Sequence, residues 1–267
     1  MDNPKDVIRK VAAHGYGHIE SYEGPLGMYW GMGNTGFRGF LDDLGLTMIS
    51  THTDVFSGFE RKADEAAEIG VYSLVCPTVE KQLGPRPHID AFREMADTFN
   101  QIGQIAKNAG IKFVYHNHAY SFREMDGEIP QKVLMDSTDP ELVEYQMDIY
   151  WVVATGHDPV EWIMDYPNRF TLSHVKDGIF DNAEHERAVG ADGVNGDDRD
   201  EGHVGGSKGI HMESVILGTG SINLQRILKT ARQNGMKYFF TEQEEFTGTT
   251  PTEAVRQNAA YMKKLRI

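Results

Sequence analysis

The stretch Ile111-Lys-Phe-Val-Tyr-His116-Asn-His118 reads as a β-strand that ends in metal-binding side chains. Apolar, aromatic and β-branched residues lead into two histidines, and Gly110 stands just before the run. Three other runs repeat the pattern: Tyr145-Gln-Met-Asp148, Phe170-Thr-Leu-Ser-His174 and Tyr238-Phe-Phe-Thr-Glu242. Helical patterns separate them, so they read as parallel strands of an alternating β/α chain. A closed parallel barrel releases the ends of all its strands at one face, where the active sites of this architecture lie. A His, an Asp, a second His and a Glu converging there would form a divalent-metal site with mixed nitrogen and oxygen ligands.

Around these runs the spacing predicts helices over Pro4–Ala13, Gly36–Asp43, Glu60–Ile69, His88–Asn108, Ile129–Asp136, Pro159–Tyr166, Ile222–Asn234 and Pro251–Leu265. Asn3 and Asp158 are placed to cap helix starts, and Gly15, Gly70, Gly110 and Gly235 follow helix ends. Strands are expected over His18–Tyr22, Thr47–Val55, Val71–Cys76, Ile111–His118, Val143–Tyr150, Phe170–Val175 and Tyr238–Glu242. The expected fold is therefore α/β: a (β/α)8 barrel that lacks its first strand in this chain and opens on a helix. An open doubly wound sheet is the alternative. One domain over residues 1–267 fits the length. From Phe180 to Leu217 the chain turns polar and Gly-rich, long for a βα connection. It follows the strand bearing His174, so it is expected over the active face, as a mobile loop or a substrate-covering lid.

The net charge is -14. Nucleic acid and anionic membranes demand a positive face, so neither is an expected partner. The single cysteine, Cys76, reads as a small buried strand residue and not as a nucleophile. No stretch reaches the roughly 18 apolar residues of a membrane span. No signal peptide is visible, and a cytoplasmic location is expected.

His116 and His118 are two apart on one strand and are expected to share a face. One would be a ligand and the other an acid, a base or a substrate donor. Asp148 closes an apolar strand, which is costly for a carboxylate unless it is paired or metal-bound. Lys176 shares the strand face of His174 and reads either as a group that polarises a carbonyl oxygen or as a salt-bridge partner. Glu242 and Glu244 share a face, and glutamates this dense repel one another unless a cation intervenes. Glu20 and His52, on earlier strands, read as lining the same mouth or as ordinary surface. Trp30 and Trp151 are candidates to stack on a sugar ring, whereas Trp162 has the helical spacing of a core residue. The loop around Trp30 lacks the G-x-G-x-x-G spacing and a phosphate-binding lysine, so nucleotide binding is not expected.

In order along the chain, Val114-Tyr-His-Asn-His118, Met147-Asp-Ile-Tyr-Trp-Val-Val153, His174-Val-Lys-Asp177, Gly218-Thr-Gly-Ser-Ile222 and Phe240-Thr-Glu-Gln243 resemble the sugar phosphate isomerase/epimerase group of xylose isomerase-like TIM barrels. That resemblance implies a divalent ion (Mn, Zn, Co or Mg) held by Glu, Asp, His and Glu on successive strands. Asp148, His174 and Glu242 match three of these. The first Glu has no counterpart, and His116 or His118 stands in its region; His116 reads as the ligand and His118 as the acid/base. Trp151 replaces a histidine of the ketose epimerases. The expected activity is a metal-dependent sugar or sugar phosphate isomerisation or epimerisation, by proton abstraction next to a carbonyl through a metal-stabilised enediolate, with Glu242, Glu244 or His118 taking the proton. The alternatives are a dehydratase or lyase on a keto-sugar, keto-glycoside or inosose, a hydrolytic metalloenzyme, and a non-catalytic sugar-binding module. The expected partner is a small-molecule carbohydrate, and a homo-oligomer is left open.

Overall fold

The computed structural model describes residues 3–84, 87–179 and 213–267. The chain divides into two compact units: Met1–His116 with Leu134–Glu144, and Asn117–Val133 with Tyr145–Ile267.

The first unit opens on the helix Pro4–Ala13, where the Asn3 side chain accepts from the Lys5 N–H at 3.0 Å. Four parallel strands follow in sequence order: β1 (His18–Tyr22), β2 (Thr47–His52), β3 (Ser73–Cys76) and β4 (Lys112–His116). The register sets Tyr22 beside His52 and Cys76 beside Tyr115, so the strands end together. The helix Ile89–Ala109 buries Phe92, Met95, Phe99, Ile102 and Ala106, one stripe at three- and four-residue spacing. Phe99 meets Phe113 and Tyr115 of β4, each with ring centroids 5.1 Å apart. Each of the larger side chains in this stripe, Phe92, Met95, Phe99 and Ile102, contributes about 1.5–3 kcal/mol by its burial. Cys76 is buried in β3, and burial pushes its thiol well above the ordinary range, as suits a packing residue.

The second unit carries three parallel strands in the order β5 (Val143–Asp148, its first two residues belonging to the first unit), β6 (Phe170–Val175) and β9 (Tyr238–Thr241). β5 and β6 are buried along their whole length, as expected of parallel strands covered on both faces. The helices Pro159–Asp165, Leu224–Gln233 and Pro251–Lys264 are capped by the side chains of Asp158, Asn223 and Thr250. Trp162 packs edge-on to Phe122 with centroids 5.0 Å apart, the core residue its spacing predicts.

Seven parallel strands alternate with helices, as the sequence predicts, but several strands stop earlier. β2 ends at His52 instead of Val55, where the Asp54 carboxylate accepts from the Phe56 N–H and turns the chain. β4 ends at His116, so strand alternation does not carry on to His118. β5 ends at Asp148, and Ile149–Ala154 is helix. Short helices at Glu80–Leu83 and Ala119–Phe122 carry no sequence pattern of their own. Residues 180–212 of the expected long loop lie outside the described residues. The chain flanking them pairs as an antiparallel ribbon, β7 (Asp177–Ile179) with β8 (Glu213–Val215). Among the described residues, no helix is long and apolar enough to cross a membrane.

Candidate metal centre

Asp148 is both the last residue of β5 and the N-cap of the helix Ile149–Ala154. Its Oδ1 accepts from the N–H groups of Tyr150 at 3.0 Å and Trp151 at 3.3 Å. Its backbone is clasped by buried Asn117: the Asp148 N–H donates to Asn117 Oδ1 at 3.1 Å, and Asn117 Nδ2 donates to the Asp148 carbonyl at 3.3 Å. The β5–β6 register places His174 directly beside Asp148. Glu242 follows β9, anchored by its N–H to the Val175 carbonyl at 3.2 Å. Its Oε2 lies 3.0 Å from His174 Nδ1. One ligand atom from each of Asp148, His174 and Glu242 lies within 4.8 Å of the others.

Lys176 enters the same cluster with its side chain only 1% exposed. Its Nζ lies 2.9 Å from Glu242 Oε2, 3.2 Å from Glu244 Oε2 and 3.6 Å from Asp148 Oδ2. The ammonium faces the rings of Tyr150 at 5.2 Å and Trp151 at 5.8 Å. Burial alone would lower the Lys176 pKa, but the carboxylates of Asp148, Glu242 and Glu244 outweigh it, and the amine stays charged. Burial raises the Asp148 carboxyl above its ordinary value, with Lys176 pulling the other way. Burial would also raise Glu242, but His174 and Lys176 hold it well below the usual carboxylate range.

The donor set suits a divalent ion. Imidazole and carboxylate ligands serve Zn, Mn, Co and Mg in different proportions. Donors bonded at about 2.0–2.2 Å lie roughly 3 Å apart at an octahedral angle and roughly 3.4 Å apart at a tetrahedral one, and the His174–Glu242 spacing of 3.0 Å matches the octahedral value. Asp148 Oδ1 is held by the backbone, so Oδ2 is the oxygen presented to the cluster.

Residues 8–265 match the family described as xylose isomerase-like TIM barrel. The chain belongs to that family. The inosose dehydratase of Clostridium perfringens is 35% identical over 88 residues, 33% of this chain and 29% of that protein. The inosose dehydratase of Clostridium botulinum is 27% identical over 176 residues, 64% of this chain and 53% of that protein. The chain thus spans about half of these relatives or less. The solved structure of a sugar phosphate isomerase/epimerase from Parabacteroides distasonis is 26% identical, with a TM-score of 0.71, and is matched over 98% of this chain and 88% of that one. The TIM-barrel fold expected from the sequence therefore holds, and the relatives of this barrel include an isomerase/epimerase and dehydratases.

Within this xylose isomerase-like barrel the other predicted residues fall in two places. In the first unit, His52 Nε2 is 3.2 Å from Glu20 Oε1, the Ser50 hydroxyl donates to the other oxygen of Glu20, and the His52 and His116 rings lie 4.9 Å apart. Trp30 is half-buried there; its indole N–H donates to the Tyr22 carbonyl at 3.2 Å and its ring meets Phe37. In the second unit, His118 is half-buried, stacked with Tyr120 at 6.0 Å and 6.2 Å from the Trp151 ring. Glu244 reaches solvent beyond Lys176.

Two residues that sequence reasoning passed over shape the centre. Asn117, between the two histidines, positions Asp148. Asp177 is fully buried and accepts four backbone N–H groups: Gly178 at 2.9 Å, Gly218 at 2.8 Å, Gly220 at 3.1 Å and Ile222 at 3.2 Å. It ties the Gly218–Ile222 turn to the residue next to Lys176. A Cβ at Gly220 would meet Asp177 Oδ1 at 2.2 Å, so only glycine lets this turn close on the carboxylate.

Proposed function

We propose that this chain acts as one catalytic domain, a metal-dependent isomerase or epimerase of a sugar or sugar phosphate that removes a proton next to a carbonyl. The Asp148–His174–Glu242 cluster, with Asp148 Oδ2 turned into it, is the observation that carries this reading. A bound divalent ion would supply a Lewis acid for the carbonyl and neighbouring hydroxyl oxygens. The side chains do the rest. Asn117 and the Tyr150 and Trp151 N–H groups fix the aim of Asp148. Glu242, held as an anion by His174 and Lys176, is a weak base and suits a ligand better than a proton acceptor. We assign the proton transfer to His118, beside the Trp151 ring, and assign to Trp151 the stacking of the sugar. A second reading follows from the inosose dehydratases of Clostridium: the same abstraction, followed by loss of a β-hydroxyl, makes a dehydratase.

The test is a panel of keto-sugars and keto-polyols in D2O, with the metal supplied. Deuterium entering beside the carbonyl together with an isomeric product supports the first reading; loss of water supports the second. No exchange and no product on any member would sink both. His118→Gln is expected to lower kcat by about 10²–10⁴.

A further inference from the structure

The Lys176 ammonium occupies the place where positive charge is most needed. Its nearest oxygen, Glu242 Oε2 at 2.9 Å, is also the one that faces His174 Nδ1. Glu244 Oε2, on an exposed side chain, follows at 3.2 Å, and then Asp148 Oδ2 at 3.6 Å, the oxygen that the backbone caps leave to the cluster. Tyr150 and Trp151 close over the amine, and its side chain is 1% exposed, so bulk water does not screen it. The buried Asp148 carboxylate and the half-buried Glu242 carboxylate repel each other at this range, and a buried ammonium without them would be costly.

We propose that Lys176 is a built-in counter-cation: with no ion bound it neutralises Asp148 and Glu242, and it lowers the affinity for a divalent ion by competing for the same two oxygens. This rests on the metal-centre reading above and adds a trade. Ion and ammonium do the same electrostatic work, and each weakens the other's hold.

The experiment is calorimetric titration of the chelator-treated full chain with Mn2+, comparing wild type, Lys176→Met and Lys176→Arg, with thermal melts of each protein with and without Mn2+. Methionine keeps much of the volume and removes the charge; arginine keeps the charge. Lys176→Met is expected to bind Mn2+ about tenfold tighter or more, to melt lower than wild type without Mn2+, and to gain more from Mn2+. Lys176→Arg should not bind tighter. Wild-type binding with equal or weaker affinity in Lys176→Met would overturn the inference and leave the metal centre standing. Lys176→Met that stays insoluble in millimolar Mn2+ would also overturn it, because the ion would then not replace the ammonium. No Mn2+ binding by any of the three proteins would overturn the metal centre itself, and the inference with it.

Discussion

Asn117 uses both ends of its amide on the backbone of one residue, Asp148. Asn117→Ala removes two buried hydrogen bonds and leaves the Asp148 N–H and carbonyl to find others, a cost of about 1–3 kcal/mol. It should also weaken Mn2+ binding about tenfold, since the carboxylate loses its aim; urea unfolding and calorimetric titration measure the two effects separately. In the first unit, Lys62 is buried against Glu23 at 2.8 Å and the Asp54 carbonyl at 2.7 Å. Burial would raise the Glu23 carboxyl, but Lys62, the Thr53 hydroxyl and the Asp54 N–H together hold it below its ordinary value. A carboxyl whose folded pKa is depressed stabilises fully above its unfolded value, roughly pH 4–5, and loses that contribution as pH falls through the lower folded value. Glu23→Gln should therefore cost about 1–2 kcal/mol at pH 7, and the gap to wild type should shrink as urea unfolding is repeated down to pH 3. An unchanged gap would show that Glu23 is not ionically coupled to Lys62. At this scale the side chains that the structure brings together, Asp148, His174 and Glu242, were legible in the sequence, because a His, Asp or Glu ending an apolar run is costly without a partner. The positioning residues were not: Asn117 and Asp177 act through backbone groups distant in sequence, which no local pattern reveals.

The elements were legible where their period was clean and were misjudged where a side chain overrode it. Ile149 and Tyr150 read as the end of a strand, yet the Asp148 carboxylate accepts from the Tyr150 and Trp151 N–H groups and starts a helix there. The helix Ile89–Ala109 shows the converse: its stripe is plain, but its closest approach is not. A Cβ at Gly103 would lie 2.4 Å from the Leu142 carbonyl oxygen, which is backbone and cannot step aside as a side-chain tip would. Gly103→Ala would gain nearly 1 kcal/mol in helix propensity but force the helix off its seat at about 1–3 kcal/mol or more. A net loss of stability in denaturant unfolding is expected, against the gain that an exposed helical glycine would give.

For the whole molecule, the alternation of seven strands with helices pointed to an α/β fold and left an open doubly wound sheet beside the barrel; the match to the xylose isomerase-like TIM barrel family decides between them. The ribbon of β7 and β8 escaped notice because its strands are three residues each and far apart in sequence. A net charge of -14 complicates any metal experiment, because an acidic surface collects divalent ions loosely everywhere. The site and the surface differ in how they respond to mutation. An ion at about a hundred times its Kd stabilises the folded state by about 2.7 kcal/mol, which for a chain of this size is a rise in Tm of roughly 5–10 °C. Asp148→Ala should abolish that rise by removing the carboxylate that turns Oδ2 into the cluster. Asp6→Asn takes a negative charge from an exposed surface pair with Arg9 and should leave the rise intact. Equal rises in wild type and both variants, measured after chelator treatment and return of Mn2+, would mean that the ion is held by the surface and not by Asp148, His174 and Glu242.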